Sequence, residues 1–337
     1  MRLRRTYMAM RDDLTKQVRD LLAKAGFTLS DEMLFRNTGF DIVARRDNLL
    51  LIVKVLKNVD SLDKLLAQQI KVLAQHLGAA PIVVGERTSS QPVEAGVVYM
   101  RHGVPIMSYE TLNDYFAEGV PPFIYAAPGG PYVNIDGEEM ARLRKERGVS
   151  LGTLADAAGV SRKAIQKYEE GMSAVIEVAL KLEERLGAPI VSPIDPFSPE
   201  EDLGSDALKK GTMPEGLKKE VLGRLDNIGF VVTPMVKTPV DAISRSRRHL
   251  YLTGVDPVQG TALQKARILA NISRVTNRGT VVFMEREYRK LNVDGTPIVI
   301  KSELQKVDSC EDLEDLISER GSEPSKGSRK KRGGRSD

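Results

Sequence analysis

The pattern of apolar and polar positions near the start of the chain predicts a helix followed by a hairpin. Leu14, Val18 and Leu22 recur at helical spacing, which is typical of an amphipathic helix. Two apolar runs, 40–45 and 49–55, then flank a short polar turn and predict two antiparallel strands. A second helix, a buried strand, a Gly-turned hairpin and a short helix follow, so we expect an α/β unit.

Four blocks of this pattern recur later in the chain in the same order. The matching pairs are 14–27 with 217–230, 40–54 with 240–254, 81–87 with 280–286, and 102–112 with 294–304. The gaps between the blocks are also similar, so chance is a poor explanation. We therefore predict two copies of one α/β unit, with a different kind of segment between them.

The segment 136–187 between the copies predicts four short helices. Ser150 and Ser161 stand where N-caps are expected, and Gly159 fits the left-handed turn that closes the helix between them. A small residue, Gly, an apolar residue, Ser and then a helix form the order of a helix-turn-helix. The segment 154–171 resembles the Cro-type, phage-repressor class of this motif. A plain helical bundle with a Gly turn is the alternative.

The helix 161–170 that begins at Ser161 carries the candidate chemistry. Its outward face bears no acid and consists of Arg162, Lys163, Gln166 and Lys167. In the Cro-type class this helix lies in the major groove of double-stranded DNA. Arg162 and Lys163 suit guanine O6 and N7, and Gln166 suits adenine, with about 1–3 kcal/mol of discrimination for each good pair. Lys167 suits either a base or a phosphate.

The first helix of the segment offers three more basic side chains. Arg144, Lys145 and Arg147 are candidates for phosphate contacts, although a solvated helix face is an equal alternative. Leu151 stands where the Cro-type class often has a Gln that touches the DNA backbone. That one contact is therefore not carried over to this chain.

Composition narrows the classes of function. A length of 337 residues favours two or three domains, and no apolar run is long enough for a membrane span. The basic start lacks the apolar core of a signal peptide, so we expect a cytoplasmic protein. One cysteine, Cys310, excludes an internal disulfide framework and a Cys-rich zinc site, and the three histidines are scattered. We expect no cofactor and no bound metal. The formal net charge of +4 says little about partners.

The first copy resembles the archaeal Holliday-junction resolvase branch of the restriction-endonuclease-like fold over residues 11–86. Nucleases of this fold hold Mg²⁺ with an Asp at the end of one strand and with the acid of a Glu/Asp-x-Lys motif on the next. Those positions fall on Asp41, Ile52 and Lys54. An Ile side chain cannot ligate Mg²⁺, so we expect a degenerate site with no catalytic residue.

The second copy departs further from the nuclease pattern. Its matching positions are Asp241, Leu252 and Gly254, so both the acid and the Lys are lost. We therefore expect that the protein is not an enzyme. The alternative that stays open is a Mg-dependent, structure-specific DNA nuclease that the helix-turn-helix targets.

The whole chain resembles an archaeal family of Cro-type helix-turn-helix transcriptional regulators with restriction-endonuclease-like flanking domains. The resemblance implies a sequence-specific DNA-binding regulator, and a single motif per chain favours a homodimer. A protein-binding adaptor is a third hypothesis, since the Cro-type fold also serves in some coactivators. The expected division is a degenerate nuclease-like domain 1–120, a linker 121–135, a helix-turn-helix domain 136–188, a linker 189–213, a second nuclease-like domain 214–318 and a disordered basic tail 319–337. Whether the α/β units pair within or between chains is open.

Overall fold

The structure, a computed structural model, describes residues 2–31, 39–198, 215–286, 288 and 290–322, with side chains described from Asp13 to Gly321 within these ranges. The chain divides into two compact units. The first comprises 1–27, 53–67 and 80–200, and the second comprises 28–52, 68–79 and 201–337. The division does not follow the order of the chain, because two stretches of the N-terminal part group with the C-terminal part.

The first unit combines a mixed sheet with a helical bundle. Its elements in chain order are α1 (Arg2–Lys24), the second half of β3 (Leu49–Asn58), the start of α2 (Lys64–Leu77), β4 (Ala80–Arg87), β5 (Val97–Arg101), β6 (Val104–Met107), α3 (Tyr109–Asn113), a π-helical segment (Asp114–Glu118), β7 (Ile124–Ala127), β8 (Gly130–Ile135), α4 (Gly137–Glu146), α5 (Leu151–Ala158), α6 (Arg162–Glu169), β9 (Ala174–Val175), α7 (Ile176–Leu186) and β10 (Val191–Ser192). The strand order is β3-β4-β6-β5-β7-β8-β10, with β9 paired to β8. β4 and β6 are parallel, and β5, which connects them in the chain, pairs with β6 in the antiparallel sense.

The second unit contains a second mixed sheet. Its elements are β1 (Thr28–Leu29), β2 (Ile42–Arg46), the first half of β3, most of α2, α8 (Gly216–Asn227), β11 (Val231–Pro234), β12 (Ala242–Arg245), β13 (Leu250–Asp256), α9 (Gln259–Thr276), β14 (Gly279–Met284), β15 (Asn292–Val293), β16 (Thr296–Ile300), α10 (Lys301–Leu304) and α11 (Cys310–Ser322). β1 pairs with β2 in the antiparallel sense. The C-terminal sheet has the order β11-β12-β13-β14-β16-β15, in which β13, β14 and β16 are parallel.

The predicted hairpin turns are confirmed. Asp47, between β2 and β3, has a positive φ of 52°, which suits the short polar turn there. His102 and Gly103 have φ values of 52° and 72° between β5 and β6. Two positive values in a row are the signature of the primed turn that matches the twist of two antiparallel strands.

The expected linker 121–135 is wrong. It contains β7 and β8, and Val133 and Ile135 are only 3% and 5% exposed in the core of the helical bundle. Gly129 and Gly130, in the Pro- and Gly-rich stretch that favours a linker, form the tip of this hairpin and have φ values of 106° and 132°, whereas Pro121 and Pro122 precede β7. Pro and Gly are typical of tight turns as well as of linkers, and here they form a turn.

The two later boundaries also shift. Ile190 is 1% exposed, and Val191 pairs with Ile135, so the helical domain continues past 188. The rest of the expected linker, from residue 199, lies outside the described residues. α11 continues to Ser322, and Arg320 is buried, so the predicted tail does not begin at 319. Residues 323–337 lie outside the described part of the chain. Among the helices that are described, none has the length and hydropathy that spanning a membrane requires.

Candidate nucleic-acid interface

The helices α5 and α6 are fixed by the caps that their sequence predicts. Ser150 Oγ accepts a hydrogen bond from the Thr153 N–H at 3.0 Å, and Ser161 Oγ accepts one from the Ala164 N–H at 3.1 Å. Gly159, which ends α5, has a φ of 71°. This left-handed residue turns the chain between the two helices at no steric cost.

The inward face of α6 holds the helix on the domain. Ile165 is fully buried and Tyr168 is 7% exposed, at the i and i+3 spacing of one helix face. Ala155 of α5 is 2% exposed, in the same apolar core. Burial also raises the pKa of the Tyr168 hydroxyl, with a smaller contribution from Tyr132. The opposite face of α6 must therefore point outward.

The outward face is exposed, as the sequence predicts. It consists of Arg162, Lys163, Gln166 and Lys167. Within the described residues, these side chains form no hydrogen bond or ion pair with another part of the chain. The helix thus presents three positive charges and one amide to solvent, and all of them can engage an anionic ligand.

Arg162 differs from its neighbours on this face. A Cβ added at the buried Gly152 of α5 would lie 2.9 Å from both Nε and Nη2 of Arg162. The guanidinium therefore packs directly against the backbone of α5. A larger residue at position 152 would displace it.

Arg144, a candidate for a phosphate contact, is paired with an acid of its own domain. Its Nε is 2.5 Å from Oε1 of Glu169 and its Nη2 is 3.1 Å from Oε2, so the guanidinium binds the carboxylate through two bonds. The pair is about 15% exposed on each side, and the Glu169 contact raises the pKa of Arg144. Arg144 therefore joins α4 to the end of α6 and also neutralises an acid beside the candidate face.

Arg147 is likewise engaged within the domain. Its Nη2 donates to the carbonyl of Gly187, at the end of α7, over 3.4 Å. Lys145 is exposed on α4. Of the three candidates for phosphate contacts, Arg144, Lys145 and Arg147, only Lys145 thus lies outside these contacts.

A close approach of α4 and α6 was not predicted. A Cβ at Gly137 would lie 2.4 Å from the carbonyl oxygen of Glu169 and 2.7 Å from that of Tyr168. Both are backbone atoms, so only glycine fits at this position. In the sequence, Gly137 follows the N-cap Asp136 and has no feature that distinguishes it from an ordinary helix start.

The nuclease-like positions of the first α/β segment do not form a metal-binding set of acids. Asp41 precedes β2 and is half-buried, whereas Ile52 and Lys54 lie on β3 and are 0% and 4% exposed. The position that should supply the second carboxylate is a fully buried hydrocarbon. Mg²⁺ requires oxygen ligands, so this residue set does not fit it.

In the C-terminal α/β segment, ammonium groups surround the corresponding Asp. Asp241 is 7% exposed, and its two oxygens lie 2.5 Å from Nζ of Lys218 and 2.5 Å from Nζ of Lys265. The Val255 N–H also donates to Asp241 Oδ2 at 2.8 Å. A Cβ at Gly254 would lie 2.9 Å from Cδ of Lys265, so the missing side chain at 254 makes room for the lysine from α9.

These contacts leave no place for a metal ion on Asp241. Both carboxylate oxygens are bound to positive groups, and Leu252 at the acidic position is fully buried. Over the part of the chain that the structure describes, no group of three or more His, Cys, Asp or Glu side chains is arranged to hold a metal. No chemical step through a metal follows from this structure.

The comparisons with known proteins match both parts of this architecture. Residues 11–122 match the PD-(D/E)XK superfamily domain, and residues 140–191 match a helix-turn-helix family. The helix-turn-helix match extends beyond the predicted limit of 188, as the buried Ile190 does. No solved structure gives a significant match.

Close relatives cover nearly the whole chain. A protein of Methanocella arvoryzae is 41% identical over 92% of this chain and 97% of its own length. Relatives from Halobacterium salinarum and Haloquadratum walsbyi are each 40% identical, over 92% and 93% of this chain and 98% of their own lengths. All three carry the name "Putative HTH-type transcriptional regulatory protein". With this identity over this length, the chain belongs to the archaeal family of HTH-type transcriptional regulatory proteins.

Proposed function

We propose that this protein regulates transcription by binding double-stranded DNA sequence-specifically, with helix 161–170 in the major groove. The main support for the proposal is the exposed face of α6. Lys163, Gln166 and Lys167 point to solvent, on the side opposite to the buried Ile165 and Tyr168. A helix of this kind fits the width of the major groove. The names of the relatives point in the same direction.

The position of Arg162 suggests a division of labour on this face. In helix-turn-helix docking, the first helix of the motif crosses the DNA backbone while the second enters the groove. The Arg162 guanidinium rests on the first helix, α5, so we assign it to a phosphate. Lys163 and Gln166 are then the base-reading side chains, with Lys167 beside them and Ser161 fixing the start of the helix.

Gel-shift titrations against the promoter of the protein's own gene and of neighbouring genes test the assigned face. Replacing both Arg162 and Lys163 with Ala should abolish the specific shift, while circular dichroism stays unchanged. Arg185→Ala, on the exposed side of α7, is the matched control and should leave the shift intact. Unchanged binding by the double variant would contradict the assignment of α6.

The single variants separate the phosphate role from the base-reading roles. Arg162→Ala should weaken binding to all DNA sequences alike. It should also reduce the slope of log K for DNA binding against log salt concentration by about 1. Gln166→Ala should instead relax the preference at one base position, at a cost of about 1–3 kcal/mol for the preferred base. If Arg162→Ala altered the sequence preference, its guanidinium would belong among the base-reading groups.

We further infer that the two α/β segments are copies of one unit and that neither is catalytic. The strand orders β1-β2-β3-β4-β6-β5 and β11-β12-β13-β14-β16-β15 are the same, and the matching sequence blocks fall on equivalent strands. Ile52, Leu252 and Gly254 replace groups that phosphodiester hydrolysis needs. On this proposal, the two copies mediate contacts within or between chains and do not catalyse a reaction.

A Mg-dependent DNA nuclease is the second candidate function, and the match to the PD-(D/E)XK superfamily favours it. Asp41 and Lys54 are the residues on which it would depend. Purified protein incubated with linear and branched DNA plus Mg²⁺ or Mn²⁺ decides between the two functions. Cleavage that disappears in Asp41→Ala would establish the nuclease, and intact DNA supports the regulator.

We also propose that the protein binds a pseudo-palindromic DNA site as a homodimer. One helix-turn-helix contacts only a few base pairs, and specific affinity generally needs two half-sites about one helical turn apart. Each chain supplies one such motif. Binding stoichiometry on a selected site, measured by sedimentation, should give two chains per duplex.

A further inference from the structure

The two α/β segments approach each other within the second compact unit, where strand side chains meet the ends of the long helices. Arg45, in β2, donates from Nη2 to the carbonyl oxygen of Thr276, the last residue of α9, at 3.2 Å. In the other direction, Oγ1 of Thr233, in β11, lies 3.4 Å from Nε2 of His76, in the last turn of α2. Burial, and then the charge of Arg245 in β12, lower the pKa of that imidazole. Arg45 and Arg245 occupy the same position in the matched blocks 40–54 and 240–254. The Arg45 guanidinium thus lies at the C-terminus of α9, where a cation is favourable.

A second reciprocal contact joins helix side chains to the backbone. Oε1 of Gln69, in α2, accepts the N–H of Val236 at 2.8 Å, just after β11. Oδ1 of Asn271, in α9, accepts the N–H of Asp31 at 2.8 Å, just after β1. Each long helix therefore holds the segment that follows the first strand of the other copy. The Asp31 carboxylate adds an ion pair with Arg274 at 2.9 Å.

The same face of both helices takes part. α2 ends before Gly78 and α9 ends before Asn277, and both of these residues have a positive φ. When Gly78 is aligned with Asn277, one face of α2 corresponds to one face of α9. The face of α2 consists of Gln69, Val72 and His76, and the corresponding face of α9 consists of Ile268, Asn271 and Val275. Val72 and Val275 are 3% and 1% exposed, and Gln69 is 5% exposed although it is polar. His76, Ile268 and Asn271 are half-buried. This face is therefore largely covered, in addition to the face that each helix packs against its own sheet.

We propose that the two α/β copies of a single chain bind each other as an internal pseudo-dimer through this face. The contacts are exchanged between the copies, with helix amide to backbone N–H and strand side chain to helix end in both directions, which is the pattern of a two-fold interface between like units. The face is therefore occupied within one chain and is closed to a second chain. Any homodimer on DNA must form through another surface. This inference rests on the proposed duplication but not on DNA binding, because no residue of α6 takes part in these contacts.

Charge reversal at the two arginines tests the pairing in the full-length protein. The variant Arg45→Glu with Arg245→Glu places carboxylates beside the two helix ends. Hydrogen exchange at the Asp31 and Val236 amides should accelerate by about tenfold, because local opening of the interface becomes easier. The self-association constant, measured by sedimentation over a range of concentrations, should stay that of the wild type. Arg247→Glu with Arg248→Glu, in an exposed turn, controls for the change in net charge.

Two results would overturn the proposal. A drop of about tenfold or more in the self-association constant would show that the face joins different chains. Unchanged exchange at both amides, with unchanged association, would show that the contacts are not made. If the charge-reversed protein fails to fold, Gln69→Leu with Asn271→Leu removes the two amide contacts without a change in charge, and the same two readings apply. DNA binding measured on the same samples reports separately on α6.

Discussion

At the scale of single residues, Gly137 shows how one missing side chain fixes the geometry of the DNA-binding domain. Gly137→Ala would drive a Cβ into the carbonyls of Glu169 and Tyr168, so we expect a loss of about 1–3 kcal/mol in unfolding free energy. Gly152→Ala is the matched control, since its Cβ meets only the movable end of Arg162. It should be neutral or up to about 1 kcal/mol more stable, because Ala favours a helix. Urea denaturation measures the unfolding free energy of both variants. Equal changes in the two variants would contradict the difference in their contacts.

His76 should make stability depend on pH. Burial, and then Arg245, lower its pKa below the ordinary value of 6.5, so the unfolded chain binds the proton more readily than the folded one. The unfolding free energy therefore falls as pH drops through 6.5 towards the folded-state pKa, and it is unaffected above that range. His76→Gln should remove this slope in urea titrations at a series of pH values. If the unfolding free energies of the wild type and of His76→Gln changed with pH in the same way, His76 would not be the source of the slope.

At the scale of elements, the Arg144–Glu169 pair should hold α4 against α6. A double-mutant cycle with Arg144→Met and Glu169→Gln should give a coupling of about 1 kcal/mol, because both partners are largely shielded and the contact has two bonds. The solvent-exposed pair Arg142–Glu139 on the same helix is the control, and its coupling should be much smaller. Similar couplings in the two cycles would contradict this account of the helix junction.

The lysines on Asp241 should make the C-terminal segment independent of metal. Lys265→Met should lower the unfolding free energy by about 2 kcal/mol, since it removes one of two cations from a buried carboxylate. Lys219→Met, on the exposed side of α8, should have little effect. Thermal melting in Mn²⁺ and in EDTA should coincide for the wild-type protein. Stabilisation by Mn²⁺ would show that the carboxylate still accepts a metal.

At the scale of the whole molecule, local signals predicted more than long-range ones. Ser150, Gly159 and Ser161 act within one helical turn, so the sequence alone was enough to place α5 and α6. The hairpin of β7 and β8 was missed because Pro and Gly mark both turns and linkers. It could have been recognised from Tyr125 and Tyr132, which flank the turn and stack at 5.8 Å.

Contacts between distant parts of the chain could not be predicted in this way. The Arg144–Glu169 and Asp241–Lys265 pairs join residues 25 and 24 positions apart, and the Gln69–Val236 contact spans 167. Such pairs depend on how helices and strands are placed, which periodicity does not specify. The contacts of Arg144 with Glu169 and of Arg147 with Gly187 were not predicted for this reason, whereas the outward face of α6 followed from helical spacing alone.

Selection of bound sequences from random double-stranded DNA, with the purified full-length protein, tests the central claim most directly. We predict one enriched motif with two related half-sites, and we predict that Lys163→Ala with Gln166→Ala loses or changes that motif while remaining folded. Enrichment of no motif at low salt, or the same motif from the variant, would contradict DNA reading by α6.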